Sequence, residues 1–188
     1  MTAAVGHLDR RTAAYVDDVL GAIDAFVPIV EAYLVGSGAA GGFDPETSDV
    51  DLAVVVGEAL GERRRALVDR VAAIPCPVRD LELVLYVEGA APSEVELNVN
   101  HGEEHPDAEA FWFVLDAALA EEHAVPLRNG IPWGRLFEPV SEERVRGAVR
   151  ESLAWSERRD DEFGRVTAAR ARHYLEHGEW ISKAAAAE

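Results

Sequence analysis

Apolar residues at Val16, Val19, Leu20, Ile23, Phe26 and Val27 recur three and four apart, which predicts a helix over residues 10–27, ended near Pro28. Residues 32–35 read as a strand, and residues 50–56, nearly all apolar beyond Asp51, read as a central one. Residues 58–73 return to helical spacing through Leu60, Leu67, Val68 and Val71, and residues 81–87 form a third strand. In residues 94–100 Val95, Leu97 and Val99 alternate with Glu94, Glu96, Asn98 and Asn100, the pattern of a strand with one wet face. Polar residues 101–107 mark a boundary, after which helices are expected over 108–122, 141–155 and 160–177, with Ser141 as an N-cap. The expectation is an α+β chain: residues 1–104 a mixed sheet flanked by helices, and residues 105–188 a helical bundle.

The segment between the first two strands carries the chemistry. Gly36-Ser37-Gly38-Ala39-Ala40-Gly41 follows an apolar strand, and Asp49 and Asp51 open the next. Carboxylates at i and i+2 of a strand share a face, so both can grip one hard cation. Ser37 and neighbouring backbone N–H groups are candidates for phosphate oxygens. The same six residues fit the dinucleotide fingerprint G-x-G-x-x-G, but that motif needs a helix and a parallel crossover, for which Gly41-Gly42 and Pro45 leave no room. Gly-Ser, a spacer of eleven residues, then Asp-x-Asp with Ser48 just ahead, resembles the nucleotidyltransferase superfamily.

Composition narrows the substrate. The net charge of −17 and a pI near 4.7 disfavour a nucleic-acid partner and favour a cationic small molecule. Apolar residues make up 48% of the 188, enough for a substantial core. The single cysteine, Cys76, permits no intramolecular disulfide, in keeping with a reducing cytoplasm. No apolar run reaches the roughly 18 residues of a membrane span, and residues 1–7 lack the basic and apolar regions of a signal peptide. A monomer or weak oligomer is expected.

Transfer to a hydroxyl also needs a base. Glu82 stands in the otherwise apolar run Leu81-Glu82-Leu83-Val84-Leu85-Tyr86, on one face with Val84 and Tyr86, and a carboxylate at a partly buried strand start suits that work. Asp80 lies on the same side and is its rival. These residues permit adenylyl transfer: Asp49 and Asp51 holding Mg2+ on a nucleoside triphosphate, Glu82 deprotonating the attacking hydroxyl.

The likeness runs further. Residues 76–86, the Glu-Val-Glu-Leu-Asn-Val-Asn-His-Gly of 94–102, the Phe-Trp-Phe-Val-Leu-Asp of 111–116, the Leu-Phe-Glu-Pro-Val of 136–140, and 169–183 resemble aminoglycoside adenylyltransferases of the streptomycin/spectinomycin type. That resemblance implies ATP and an antibiotic acceptor, with Mg2+ on Asp49 and Asp51 and Glu82 as catalytic base. Gly36, Ser37 and Ser48 fall on the phosphate side, Arg170 and Lys183 near the triphosphate, and Asp116 and Asp160 toward the acceptor. It also implies a C-terminal helical part shorter than the family's, and a tryptophan and aspartate that help hold streptomycin there have no clear match between Trp155 and Asp160. Two alternatives remain: a catalytically weak, nucleotide-binding regulatory homologue, and a nucleotidyltransferase that modifies protein.

The remaining polar clusters read as surface. His101 and His105 sit four apart, but Gly102 and Pro106 oppose the helix a zinc pair would need. Arg63-Arg64-Arg65 reads as a solvated face, as do Glu94, Glu96, Glu103 and Glu104, with an acidic rim for a cationic substrate as the sharper reading. Trp112, Trp133, Trp155 and Trp180 are expected in the core or at a domain interface.

Overall fold

A computed structural model describes residues 8–106 and 108–187; the N-terminal segment read above as no signal peptide lies outside them. The described residues form helices α1 (Arg10–Asp24), α2 (Gly36–Ala40), α3 (Arg64–Ala72), α4 (Ala110–His123), α5 (Glu142–Ser156), α6 (Glu162–His177) and α7 (Lys183–Ala187). Strands are β1 (Ile29–Leu34), β2 (Val50–Val56), β3 (Leu81–Val87), β4 (Leu97–Asn100), β5 (Glu103–Glu104) and β6 (Val125–Pro126). None of these helices is long and apolar enough to cross a membrane.

The strands make one mixed sheet in the order β5-β4-β3-β2-β1-β6. Only β2 and β3 run parallel; β1 pairs antiparallel with both β2 and β6, and β4 antiparallel with β3. The antiparallel β1–β2 pair removes the dinucleotide reading outright, because that motif joins parallel strands. The stretch read as a loop after β1 does turn once as α2, a helix of five residues stopped by Gly41 in the left-handed region at φ 83°.

Alternation divides the sheet into two faces. Ala32, Leu34, Leu52, Val54, Val56, Leu83 and Leu85 enter one buried core with Val16, Val19, Leu20 and Ile23 of α1 and Leu67, Val68 and Val71 of α3. The opposite face carries Glu31, Tyr33, Asp51, Glu82 and Tyr86 at alternating positions. Over part of it lies the segment after β6, where Trp133 stacks on Phe137 (4.2 Å between centroids) and meets Tyr33 and Tyr86 edge-on at 5.1 and 6.4 Å. Trp133 is thus a core residue of this unit. Burial, and secondarily the nearby Glu31, push the Tyr33 phenol above its ordinary range.

Glu31 is the unexpected member. It is fully buried, yet its carboxylate accepts backbone N–H groups from Ala32 (2.9 Å), Arg128 (2.8 Å), Asn129 (3.0 Å) and Ile131 (2.7 Å). A buried acid is tolerable when its oxygens are filled in this way. The arginine run is also more than a wet face: Arg63 donates to the carbonyls of Phe26 (2.7 Å), Ala59 (2.8 Å) and Leu60 (3.1 Å), tying α1 to the start of α3. Arg64 bridges Glu96 and Glu104, while Arg65 pairs along the helix with Asp69. Those bridges occupy two of the four glutamates read as a possible rim.

By contacts the chain divides into residues 1–108 with 119–139, and residues 109–118 with 140–188. Within the second unit, Phe111, Val114 and Leu115 of α4 pack with Val145, Ala148 and Val149 of α5 and Ala171 of α6. Ser141 caps α5 by accepting from Arg144 N, as expected, and Asp161 caps α6 through Gly164 N. Trp112 and Trp155 lie edge to face at 5.4 Å, and Trp180 packs on Tyr174 at 4.2 Å.

Candidate active site

The sheet brings the predicted carboxylates together through register. Asp51 is the second residue of β2 and pairs across the parallel ladder with Glu82, the second of β3. Paired positions in adjacent strands point to one face, strands being about 4.8 Å apart. Asp49 precedes β2 by one residue and shares the Asp51 face by period two. Burial of Leu52, Val54 and Val56 on the other side fixes this register, since a slip of one residue would bury the aspartates instead.

Gly36 closes one side of the cluster. Val35 N donates to Asp51 O at 3.0 Å, and Gly36 follows at φ 59°. A Cβ on Gly36 would lie 1.9 Å from Asp51 Oδ2 and 2.6 Å from its Cγ. Both the left-handed backbone and the contact therefore demand glycine. Ser37 sits half-buried in the α2 turn, where its carbonyl accepts from Gly42 N at 3.1 Å. Ser48 closes the return to β2: its N donates to Asp44 O (2.7 Å) and its Oγ accepts from Asp44 N (3.0 Å).

The two rivals for the base separate. Asp80 is largely covered, accepts from Leu81 N at 2.7 Å and pairs with His101 Nδ1. Glu82 is exposed, not partly buried as expected. Asn100, opposite Glu82 in β4, donates its Nδ2 to Glu82 Oε1 at 3.3 Å. His105 Nε2 lies 3.1 Å from Asn100 O, so the two histidines are taken up separately rather than facing one ion.

Arg79 is the residue that sequence reasoning passed over. Its guanidinium forks onto Asp49, with Nε donating to Oδ1 at 2.7 Å and Nη2 to Oδ2. The hydrogen bond to Asp49 pushes the Arg79 guanidinium up, desolvation opposes this, and the charges of Asp49, Glu82 and Asp80 add to the rise. A lone arginine two residues before an apolar strand was the available signal.

Among the described residues no three His, Cys, Asp or Glu side chains gather closely enough for a cation cage of protein ligands alone. Mg2+ does not require one: it uses one or two carboxylates and completes its shell with phosphate and water oxygens. Asp49 and Asp51 fit that donor set, and the missing Cβ of Gly36 leaves the Asp51 carboxylate its space.

The other predicted site residues belong to the second unit. Arg170, on α6, is half-buried and donates Nε to Ile181 O at 2.9 Å. Burial lowers its guanidinium from the ordinary value, and the charge of Asp116 opposes that. Lys183 opens α7 and is exposed; Asp116 on α4 and Asp160, in the turn before α6, are exposed too.

Comparisons with known proteins bear on the fold and on the N-terminal part of the chain. Residues 16–88 match the family model for a nucleotidyltransferase domain, a span that holds β1, the Gly36 turn, Asp49, Asp51 and Glu82. No curated protein sequence matches the chain. The structure is similar to that of spectinomycin adenyltransferase AAD(9) from Enterococcus faecialis, solved with ATP and spectinomycin. The TM-score is 0.77 at 19% identity, over 95% of this chain and 81% of that one. At that identity the likeness establishes the fold, including a helical region after the sheet. Residues 16–88 thus carry the match to a nucleotidyltransferase domain, within a chain that has the fold of an adenyltransferase.

Proposed function

We propose that the protein transfers AMP from ATP to a hydroxyl of a cationic, aminoglycoside-like small molecule, the chemistry of antibiotic resistance by modification. The observation that carries this reading is the pairing of Asp51 with Glu82 across β2 and β3, beside Asp49. Asp49 and Asp51 would hold Mg2+, whose charge offsets that of the triphosphate and of departing pyrophosphate. Glu82, exposed and steadied by Asn100, takes the proton of the acceptor hydroxyl. The hydroxyl oxygen then forms a bond to the α-phosphorus as the bond from that phosphorus to the bridging oxygen of pyrophosphate breaks, in line. Gly36 and Ser37, with Ser48 behind them, are assigned to the phosphate side. Arg170 and Lys183 are assigned to the triphosphate, and Asp116 and Asp160 to the acceptor, by resemblance.

The net charge of −17 supports a cationic acceptor and opposes a polyanionic one. ATP as donor is supported by the adenyltransferase of similar fold, which was solved with it. The test is incubation with ATP, Mg2+ and a panel of aminoglycosides and spectinomycin, followed by mass spectrometry for one added adenylyl group and by pyrophosphate assay. No adduct on any acceptor, with ATP binding intact by calorimetry, would replace this reading with that of a nucleotide-binding module.

A further inference from the structure

We propose that Arg79 is an internal counter-cation that holds the Asp49 carboxylate in place and must yield it to the divalent ion, so that Arg79 sets the metal affinity of the site. This rests on the reading that Asp49 and Asp51 hold that ion.

Three observations carry it. First, the contact is a two-pronged fork that takes both Asp49 oxygens, the geometry in which guanidinium most fully satisfies a carboxylate. Second, the two partners differ in exposure: the Asp49 side chain is 9% exposed and that of Arg79 58%. The carboxylate is covered, while the Arg79 side chain is mostly exposed to solvent, so on this proposal it is the guanidinium that moves aside. Third, Arg79 is placed to serve the cluster. It lies two residues before β3, whose second residue is Glu82, and both Asp80 and Glu82 act on its charge. Without a cation, Asp49, Asp51 and Glu82 would set like charges side by side on neighbouring strand starts, a destabilising arrangement. Arg79 relieves this in the metal-free protein, and an arriving cation takes over the role.

The exchange has a definite sign. Removing Arg79 removes the competitor, so a divalent cation binds more tightly to the variant than to the parent. Loss of a charge-assisted fork corresponds to about a tenfold change in affinity. Arg79 thus acts as a positioning residue through Asp49 and touches no reacting atom.

The experiment measures Mn2+ binding to the full chain without nucleotide, by electron paramagnetic resonance of free Mn2+, for the parent, R79Q, R79K, D49N, D51N and R79Q/D49N. R79Q is expected to bind Mn2+ about tenfold more tightly, R79K to fall between it and the parent, and R79Q/D49N to lose the gain. Thermal unfolding in EDTA gives a second readout, in which R79Q melts below the parent and recovers more of its melting temperature on adding Mn2+. If D49N and D51N lose Mn2+ while R79Q binds it no better than the parent, the metal site stands and the role of Arg79 is overturned. If D49N and D51N bind Mn2+ as the parent does, with or without ATP, the metal assignment itself falls and takes this role with it.

Discussion

Gly36→Ala separates backbone strain from damage to the site. Gly36 (φ 59°) and Gly41 (φ 83°) both lie in the left-handed region at the two ends of α2. Alanine in that region costs about 1–2 kcal/mol at either place. The surroundings differ: nothing lies within 4 Å of a Cβ built on Gly41, whereas one on Gly36 meets Asp51 Oδ2 at 1.9 Å. Real contacts to Cβ stay beyond about 3 Å, so the carboxylate must retreat by roughly 1 Å or more, and a shift of that size costs on the order of 100-fold in rate. Gly41→Ala should therefore lower stability by about 1–2 kcal/mol, roughly 2–8 °C in melting temperature for a chain of this length, and leave turnover near normal. Gly36→Ala should lose at least as much stability and also about 100-fold in kcat. The assays are thermal unfolding and pyrophosphate release with an accepted substrate. Equal turnover in the two variants would refute the claim that Gly36 is glycine because of Asp51.

Further outcomes follow from other sites. Glu82→Gln keeps the side chain's shape but removes the base, so ATP binding by calorimetry should persist while turnover falls by about 100-fold or more; unchanged turnover would move the base elsewhere. Glu31→Ala leaves the backbone N–H groups of Arg128, Asn129 and Ile131 without their buried acceptor, and at about 1–3 kcal/mol for each it should cost several kcal/mol in chemical denaturation. Asp9 caps α1 through Arg11 N and Thr12 N, and its hydrogen bonds to Thr12 hold its carboxyl below 3.8. Its stabilisation is thus complete above pH 3.8 and fades as pH falls through the lower folded value. Asp9→Ala should cost about 1 kcal/mol at pH 7 and progressively less in that acid range, as read from paired thermal melts.

What was legible in the sequence was local. The unbroken apolar run of β2 and the lone acid in β3 are visible as strings, and both strands form where expected. Ser141 shows as a cap because the signal and its partner lie three residues apart. Asp49, Asp51 and Glu82 stood out because their types and spacing suit the proposed chemistry, and the register of β2 and β3 sets Asp51 opposite Glu82. Features that depend on distant partners were hidden. Glu31 reads as one charge in Ile-Val-Glu-Ala-Tyr-Leu, and nothing nearby reveals that residues 128–131 fill it. Arg63 and Arg64 read as solvated because their acceptors, Phe26 O, Glu96 and Glu104, lie 32 to 40 positions away. Arg79 was invisible as a site residue because its fork crosses 30 positions to Asp49. The pairing of β1 with β6 was equally beyond reach, since two residues carry no strand pattern of their own.

The buried Glu31 also has a temporal meaning. Three of its four backbone partners stand 97 to 100 residues downstream, and Trp133 follows them closely. As the chain leaves the ribosome, β1, β2 and β3 are available early, but this carboxylate waits for three of its four donors until Ile131 emerges. During that interval β1 has an unsealed edge and Tyr33 and Tyr86 lack their aromatic cover. Synthesis that stalls before this point would release a sheet poised to pair with another chain, and a nascent-chain proteolysis series should show protection of β1 only once residue 131 has cleared the exit.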